Sequence, residues 1–85
     1  MIKKQLRVNI ENGLHARPAA ELVKVLSGFQ SDVHAIKNGQ RFNLKSIIHI
    51  MSTSIEENEV LTVEIDGADE SEVLMQLETF FNAAS

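Results

Sequence analysis

The sequence predicts an α+β fold: a two-layer, open-faced β-sandwich in which a four-stranded antiparallel sheet is covered on one face by three helices, in the order βαββαβα. Two observations carry this. Apolar residues recur with strand period and helix period in alternating segments. In the middle of the chain, Asn38-Gly39 separates two strand-like runs with the dipeptide that tolerates both positive φ angles of a type I′ turn. Strands and helices in that order, with a central hairpin, fit helices packed on one face of a mainly antiparallel sheet.

Leu6, Val8 and Ile10 alternate with Arg7 and Asn9, so a first strand with one buried face should end near Ile10, before Glu11-Asn12-Gly13. Ala16, Ala19, Val23 and Leu26 recur at helical spacing, and Ser27-Gly28 offers a stop, with Gly28 placed for a left-handed cap. Asp32 to Lys37 and Gln40 to Leu44 form the hairpin. Its register should set Lys37 against Gln40, Ala35 against Phe42 and Val33 against Leu44, gathering the apolar side chains on one face. Ser46 to Ser52 reads as a short helix opening on a capping hydroxyl and carrying Ile47, Ile48, Ile50 and Met51. Glu59 to Asp66 alternates with Leu61, Val63 and Ile65 inward. Gly67-Ala68-Asp69 leads into a last helix through Val73, Leu74, Leu77, Phe80 and Phe81.

The chain of 85 residues, 44% hydrophobic with one proline, is sized for a single domain, 1–85, without a deep enclosed cavity, so its chemistry should lie on the surface. No cysteine is present, which excludes disulfides, thiolate metal sites and cysteine nucleophiles, and fits a reducing, cytoplasmic setting. The charged, alternating first residues and the lack of a long apolar run predict a soluble chain without leader or membrane insertion. All eight Lys and Arg lie at or before Lys45, whereas nine of the twelve acids follow it. This asymmetry under a net charge of −4 could orient encounters with charged partners, though solvated faces explain most of it. No basic run interleaves with aromatics, which disfavours nucleic acid.

The chemistry concentrates in Asn12-Gly13-Leu14-His15-Ala16-Arg17-Pro18, where a strand gives way to a helix. Gly13 permits a sharp turn, and Pro18 suits the first helical turn, where its missing N–H has no intrahelical partner to lose. His15 should then stand at a helix N-terminus, where free N–H groups, Ala16 among them, and the dipole welcome an anion and Arg17 adds a fixed charge. An imidazole is a competent nucleophile at neutral pH, so His15 can accept and donate a phosphoryl group. A lone histidine would more often be an ordinary helix cap. The Gly, Arg and Pro spacing at this junction favours the phosphoryl reading.

Asn12 to Ala20, reading Asn-Gly-Leu-His-Ala-Arg-Pro-Ala-Ala, resembles the active-site segment of the HPr family, the histidine-containing phosphocarriers of the bacterial sugar phosphotransferase system. Asn38-Gly39, Leu44-Lys45-Ser46-Ile47, Met51 and Gly67-Ala68-Asp69-Glu70 match the family as well. The resemblance implies an HPr-type sandwich without cofactor or metal. It also implies that His15 takes phosphate on Nδ1 from enzyme I, which draws on phosphoenolpyruvate, and passes it to IIA domains of sugar permeases, with Arg17 helping to bind it. A monomeric carrier that needs partner enzymes is expected.

In many family members the serine matching Ser46 is phosphorylated by HPr kinase, which lowers transfer at the histidine and enables complexes with transcriptional regulators in carbon catabolite regulation. A phosphate there would meet free N–H groups and add about −1.5 to −2 charge to the docking surface. Ser46 as a simple N-cap is an equal reading. Ile47, Ile48 and Met51 cannot all point inward from so short a helix. Some should form an exposed apolar patch beside His15, as in the family, where this surface docks partners, while Ile50 is buried.

The sequence also departs from the family. His49 is unusual at its position, and His34 lies opposite Val33 and Ala35. Neither has metal-site spacing, so both are expected to be solvated, though His49 could alter partner choice. Ser54 and Asn58 replace common glycines, and Asn readily takes a left-handed turn. Glu56, Glu57 and Glu59 form an acidic loop that could tune partner choice. A nitrogen-type regulatory branch, with the same His15 chemistry and different targets, stays open. An acylphosphatase-like enzyme is a distant alternative, because no second basic-acid pair accompanies Arg17, and a pure interaction module is disfavoured by retention of His15.

Overall fold

The structure is a computed structural model that describes residues 1–82, so the end of the single domain expected over 1–85 lies outside the described residues. In chain order its elements are β1 (Ile2–Arg7), α1 (Ala16–Leu26), β2 (Asp32–Lys37), β3 (Gln40–Asn43), α2 (Ile47–Thr53), β4 (Val60–Asp66) and α3 (Glu70–Asn82). The strands form one antiparallel sheet in the order β1-β4-β2-β3. Because β4 enters last yet sits between β1 and β2, the sheet closes only when both halves of the chain are present.

Register follows the apolar alternation. Leu6 faces Leu61, Val33 faces Ile65 and Ala35 faces Val63, so one face of every strand delivers apolar side chains to the helices. The hairpin has the predicted register, Lys37 opposite Gln40 and Ala35 opposite Phe42, with Asn38 and Gly39 both at positive φ. Leu44 lies one residue beyond β3, but its amide still bonds the Val33 carbonyl at 2.9 Å. From the helices, Leu22, Leu26, Ile50, Val73, Leu77 and Phe81 close the core, each fully buried. Such burial contributes about 1.5–3 kcal/mol per side chain, which makes this layer the main support of the fold.

Two expectations need correction. The first strand ends at Arg7, not near Ile10: the Val8 amide bonds the Glu59 carbonyl at 2.8 Å and the Asn9 amide bonds Phe81 of α3. Val8 stays buried, so the side-chain alternation outlasts the strand ladder. Gly28 supplies no left-handed cap. Ser27 keeps a right-handed φ of −64°, and the amides of Gly28 and Phe29 bond the carbonyls of Val25 and Leu26, tightening the last turn of α1 instead.

The charge asymmetry along the sequence is spent within the fold. Lys3 pairs with Glu64, Lys4 with Glu78, Lys37 with Glu59 and Arg41 with Glu64, each a cation from the first half on an acid from the second. Asp69, just before α3, accepts the amides of Gln30 at 2.8 Å and Ser31 at 2.9 Å and the hydroxyl of Ser31, locking α3 to the start of β2.

Candidate functional site

The site begins with the turn that follows β1. Asn12 and Gly13 both have positive φ, 65° and 72°, and the Gly13 amide closes onto the Ile10 carbonyl at 2.8 Å. A Cβ at Gly13 would run into the Ile55 carbonyl oxygen and come within 2.8 Å of the Glu56 Cα, so glycine is demanded by close approach as well as by φ. The next amide, of Leu14, bonds the Ile55 carbonyl at 3.0 Å, and the Leu14 side chain is buried. The loop between α2 and β4 thus holds the backbone immediately before His15.

His15 occupies the N-cap position of α1 with extended backbone, φ −79° and ψ −172°, and its carbonyl accepts the Ala19 amide at 2.9 Å. The imidazole is exposed and makes no capping hydrogen bond, so His15 is not a side-chain cap. Ala16 and Arg17 open the helix, where backbone N–H groups have no carbonyl one turn back, and Pro18 contributes none. No acid stands in the first turn of α1. The exposed Arg17 makes no ion pair among the described residues.

The other two helices begin conventionally. Ser46 caps α2 by accepting the His49 amide at 3.3 Å, and α3 carries Glu70 and Glu72 in its first turn. A cation in a first turn opposes the helix dipole by about 0.3–1 kcal/mol, and a missing cap costs about 1 kcal/mol more. The start of α1 therefore gives up stability on both counts and leaves an electropositive, uncapped end beside an exposed imidazole.

Around it, Asn12, Leu14, His15, Met51, Ser54, Ile55 and Glu56 line a shallow depression of about 240 Å³. Met51 comes from α2, where Ile48 is 75% exposed, Met51 42% and Ile47 39%, while Ile50 is fully buried. The apolar patch expected beside His15 is present. A larger depression of about 360 Å³, lined by Gln40, Arg41, Phe42, His49, Ser52 and Thr53, lies between α2 and the edge strand; it contains none of the His15 group, and its Arg41 is already paired with Glu64.

The structure also sorts the remaining residues. Ser54 ends α2 in the left-handed region at φ 56°, and Asn58 turns at φ 69°, so both positions keep the turn that glycine would make. Of the acidic loop, Glu57 accepts the Asn12 amide at 3.2 Å, and Glu59 accepts the Glu56 amide and the Lys37 ammonium. Burial raises the Glu59 pKa, but the hydrogen bonds from Lys37 and the Glu56 amide, with the Lys37 charge, together outweigh it and hold the carboxyl below its ordinary range. Only Glu56 of the three faces the His15 depression. His49 is exposed, its Nδ1 accepting the Asn43 amide at 3.4 Å, and His34 is half-buried opposite Glu64. Sequence reasoning missed Lys37, whose ammonium bonds the carbonyls of Ser54 at 2.7 Å and Thr53 at 3.3 Å besides Glu59; a lysine before a turn gives no sign of that reach.

Comparison with known proteins identifies the family to which this fold belongs. Residues 2–83 match the family described as the PTS HPr component phosphorylation site. A phosphocarrier protein HPr of Buchnera aphidicola is 36% identical over 77 residues, covering 91% of each chain. The crystal structure of a phosphocarrier protein HPr from Bacillus anthracis superposes with a TM-score of 0.89 at 37% identity, over 93% of this chain and 94% of the other. The Bacillus subtilis catabolite repression protein Crh, described as a swapped dimer, superposes with a TM-score of 0.78 at 35% identity, over 98% and 95%. With the fold and these relatives in agreement, the chain belongs to the HPr family of phosphocarrier proteins of the phosphotransferase system.

Proposed function

We propose that His15 carries the phosphoryl group, accepting it from enzyme I and donating it to IIA domains of sugar permeases. The observation that supports this above the others is the start of α1: an exposed imidazole, unpaired N–H groups of Ala16 and Arg17, and an uncompensated Arg17 guanidinium, with no acid or side-chain cap. In the forward step a ring nitrogen of His15 bonds to phosphorus as the bond to the donor breaks. The phosphoryl oxygens then meet the helix N–H groups and Arg17, the interactions an anion needs at such an end. Ile47, Ile48 and Met51 supply the apolar ground on which successive partners dock. The protein turns nothing over by itself and works as a cytoplasmic monomer, presenting one surface to one partner at a time. Among the described residues no helix is long and apolar enough to cross a membrane.

Ser46 is the proposed regulatory phosphorylation site, modified by HPr kinase. It sits at the start of α2, half-buried, beside the same apolar patch, so a phosphate there would place charge where partners dock.

Mass spectrometry after incubation with phosphoenolpyruvate and enzyme I tests the central reading. One acid-labile phosphate per chain, absent from His15→Ala, is expected; undiminished labelling of His15→Ala would sink the assignment.

A further inference from the structure

Between the end of α2 and the start of β4 the chain makes two left-handed turns, at Ser54 and Asn58, and the segment between them forms the seat of the backbone that precedes His15. The Ile55 carbonyl receives the Leu14 amide, and the Ile55–Glu56 backbone packs directly on Gly13. The downstream end of this segment is held by the body of the fold, through the Asn58 amide on the Val8 carbonyl at 2.7 Å and the Val8 amide on Glu59 at 2.8 Å. At the upstream end the Ile55 side chain is buried in the core, while Ser54 before it lies outside that core. The polar hold there comes from Lys37, which is 14% exposed, reaches from the hairpin and donates to Ser54 at 2.7 Å, Thr53 at 3.3 Å and the Glu59 carboxylate at 2.8 Å.

All three ammonium hydrogens are thereby matched, and each bond has a physical reason. The carbonyls of Thr53 and Ser54 close α2, where the negative end of the dipole welcomes a cation. Ser54 adopts a left-handed conformation that favours glycine, so its placement needs an outside contact, and its carbonyl is where Lys37 bonds at the shorter distance. Glu59 folds back to accept the Glu56 amide at 2.6 Å, so one ammonium joins both flanks of the loop.

We infer that Lys37 is a positioning residue for phosphoryl transfer at His15: by clamping the Ser54 end of the loop to Glu59 it fixes the Ile55 carbonyl, which fixes the Leu14 amide and hence where the His15 imidazole stands relative to the open end of α1. This inference rests on the reading of His15 as the phosphorylated residue. Lys37 bonds only Thr53, Ser54 and Glu59, none of them His15, Arg17 or the exposed apolar residues of α2, so its removal is expected to act on the rate of the chemical step and to leave partner binding intact.

The test is a kinetic split with a local structural readout. Phosphorylation by enzyme I and phosphoenolpyruvate is followed for wild type, Lys37→Met, Lys37→Arg and His15→Ala, with amide exchange at Leu14 measured by NMR. Lys37→Met is expected to lower kcat about tenfold, the scale on which small misplacements of reacting groups act, with KM within about twofold and faster exchange at Leu14. Lys37→Arg, which keeps a cation able to bond several carbonyls, is expected to recover most of the rate. If Lys37→Met folds poorly, Glu59→Met, which removes the acceptor oxygens, releases one flank of the same clamp and should lower kcat in the same sense. A Lys37→Met protein with a reduced Tm but unchanged kcat and unchanged Leu14 exchange would overturn the proposal. Labelling that persists in His15→Ala would instead overturn the His15 reading, whatever Lys37 does.

Discussion

Gly13 and Ile55 meet backbone to backbone: the Ile55 carbonyl oxygen fills the space where a side chain at Gly13 would begin, and the same carbonyl binds the amide of the next residue, Leu14. The turn before His15 and the loop after α2 are therefore built as one piece. Gly13→Ala combines a positive φ with a backbone overlap and should lower stability by about 2–4 kcal/mol. Urea denaturation checks this, and a loss under 1 kcal/mol would mean the loop yields more easily than its bonds imply.

His15→Asp should separate stability from function. Aspartate is a favoured N-cap and its charge suits the helix dipole, so α1 should gain about 0.5–1.5 kcal/mol while phosphoryl transfer is abolished. For a chain of this size that is a rise of several degrees in Tm, read by calorimetry. An unchanged or lower Tm would show that the uncapped end of α1 costs the resting protein nothing.

Ile48 is the most exposed of the α2 apolar residues, with three quarters of its surface in solvent. Ile48→Glu should leave stability within about 0.5 kcal/mol of wild type. It should raise KM for enzyme I severalfold yet leave direct phosphorylation by phosphoramidate, which needs no docking surface, at the wild-type rate. Equal loss with both phosphoryl donors would place the effect in the chemistry.

Acid stability should depend on Asp69. The Ser31 hydroxyl, then the Gln30 amide, hold its carboxyl below the usual carboxylate range against a smaller opposing effect of burial. A depressed folded value stabilises the native state fully above the unfolded value of about 3.9, and the contribution is lost as pH falls through the folded value. Asp69→Asn should thus lower Tm at pH 7 and flatten its decline below pH 4. The slope should not vanish, because Glu59, Glu64 and Glu70 are depressed as well. An unaltered pH profile would contradict the linkage.

Where local pattern and tertiary packing agree, the sequence was readable. Asn38-Gly39 gave the hairpin with its register, Ser46 gave the cap of α2, and the Gly13, His15 and Pro18 spacing gave the strand-to-helix junction. Errors arose where long-range partners decide. Val8 and Asn9 leave the strand ladder because the loop at Glu59 and the end of α3 claim their amides. Gly28 sits where a left-handed cap is common, but the last carbonyls of α1 found closer partners in the amides of Gly28 and Phe29. Lys37 was invisible because its role is set by three acceptors more than fifteen residues away in sequence.

The open end of α1 has a consequence for how the loaded carrier behaves. With His15 as the proposed phosphorylated residue, folding and phosphorylation would form a thermodynamic cycle, so whatever free energy a phosphate gained from the α1 amides and Arg17 would reappear as resistance of the phosphorylated chain to unfolding. The melting temperature becomes a gauge of cargo: the higher the phosphorylated form melts above the free form, the more tightly the protein grips what it must surrender. A carrier must keep that difference modest. An exposed imidazole, one guanidinium and a helix end without further enclosure fit such a compromise: on the proposed reading they would steady the phosphoryl group between encounters without retaining it when an acceptor arrives.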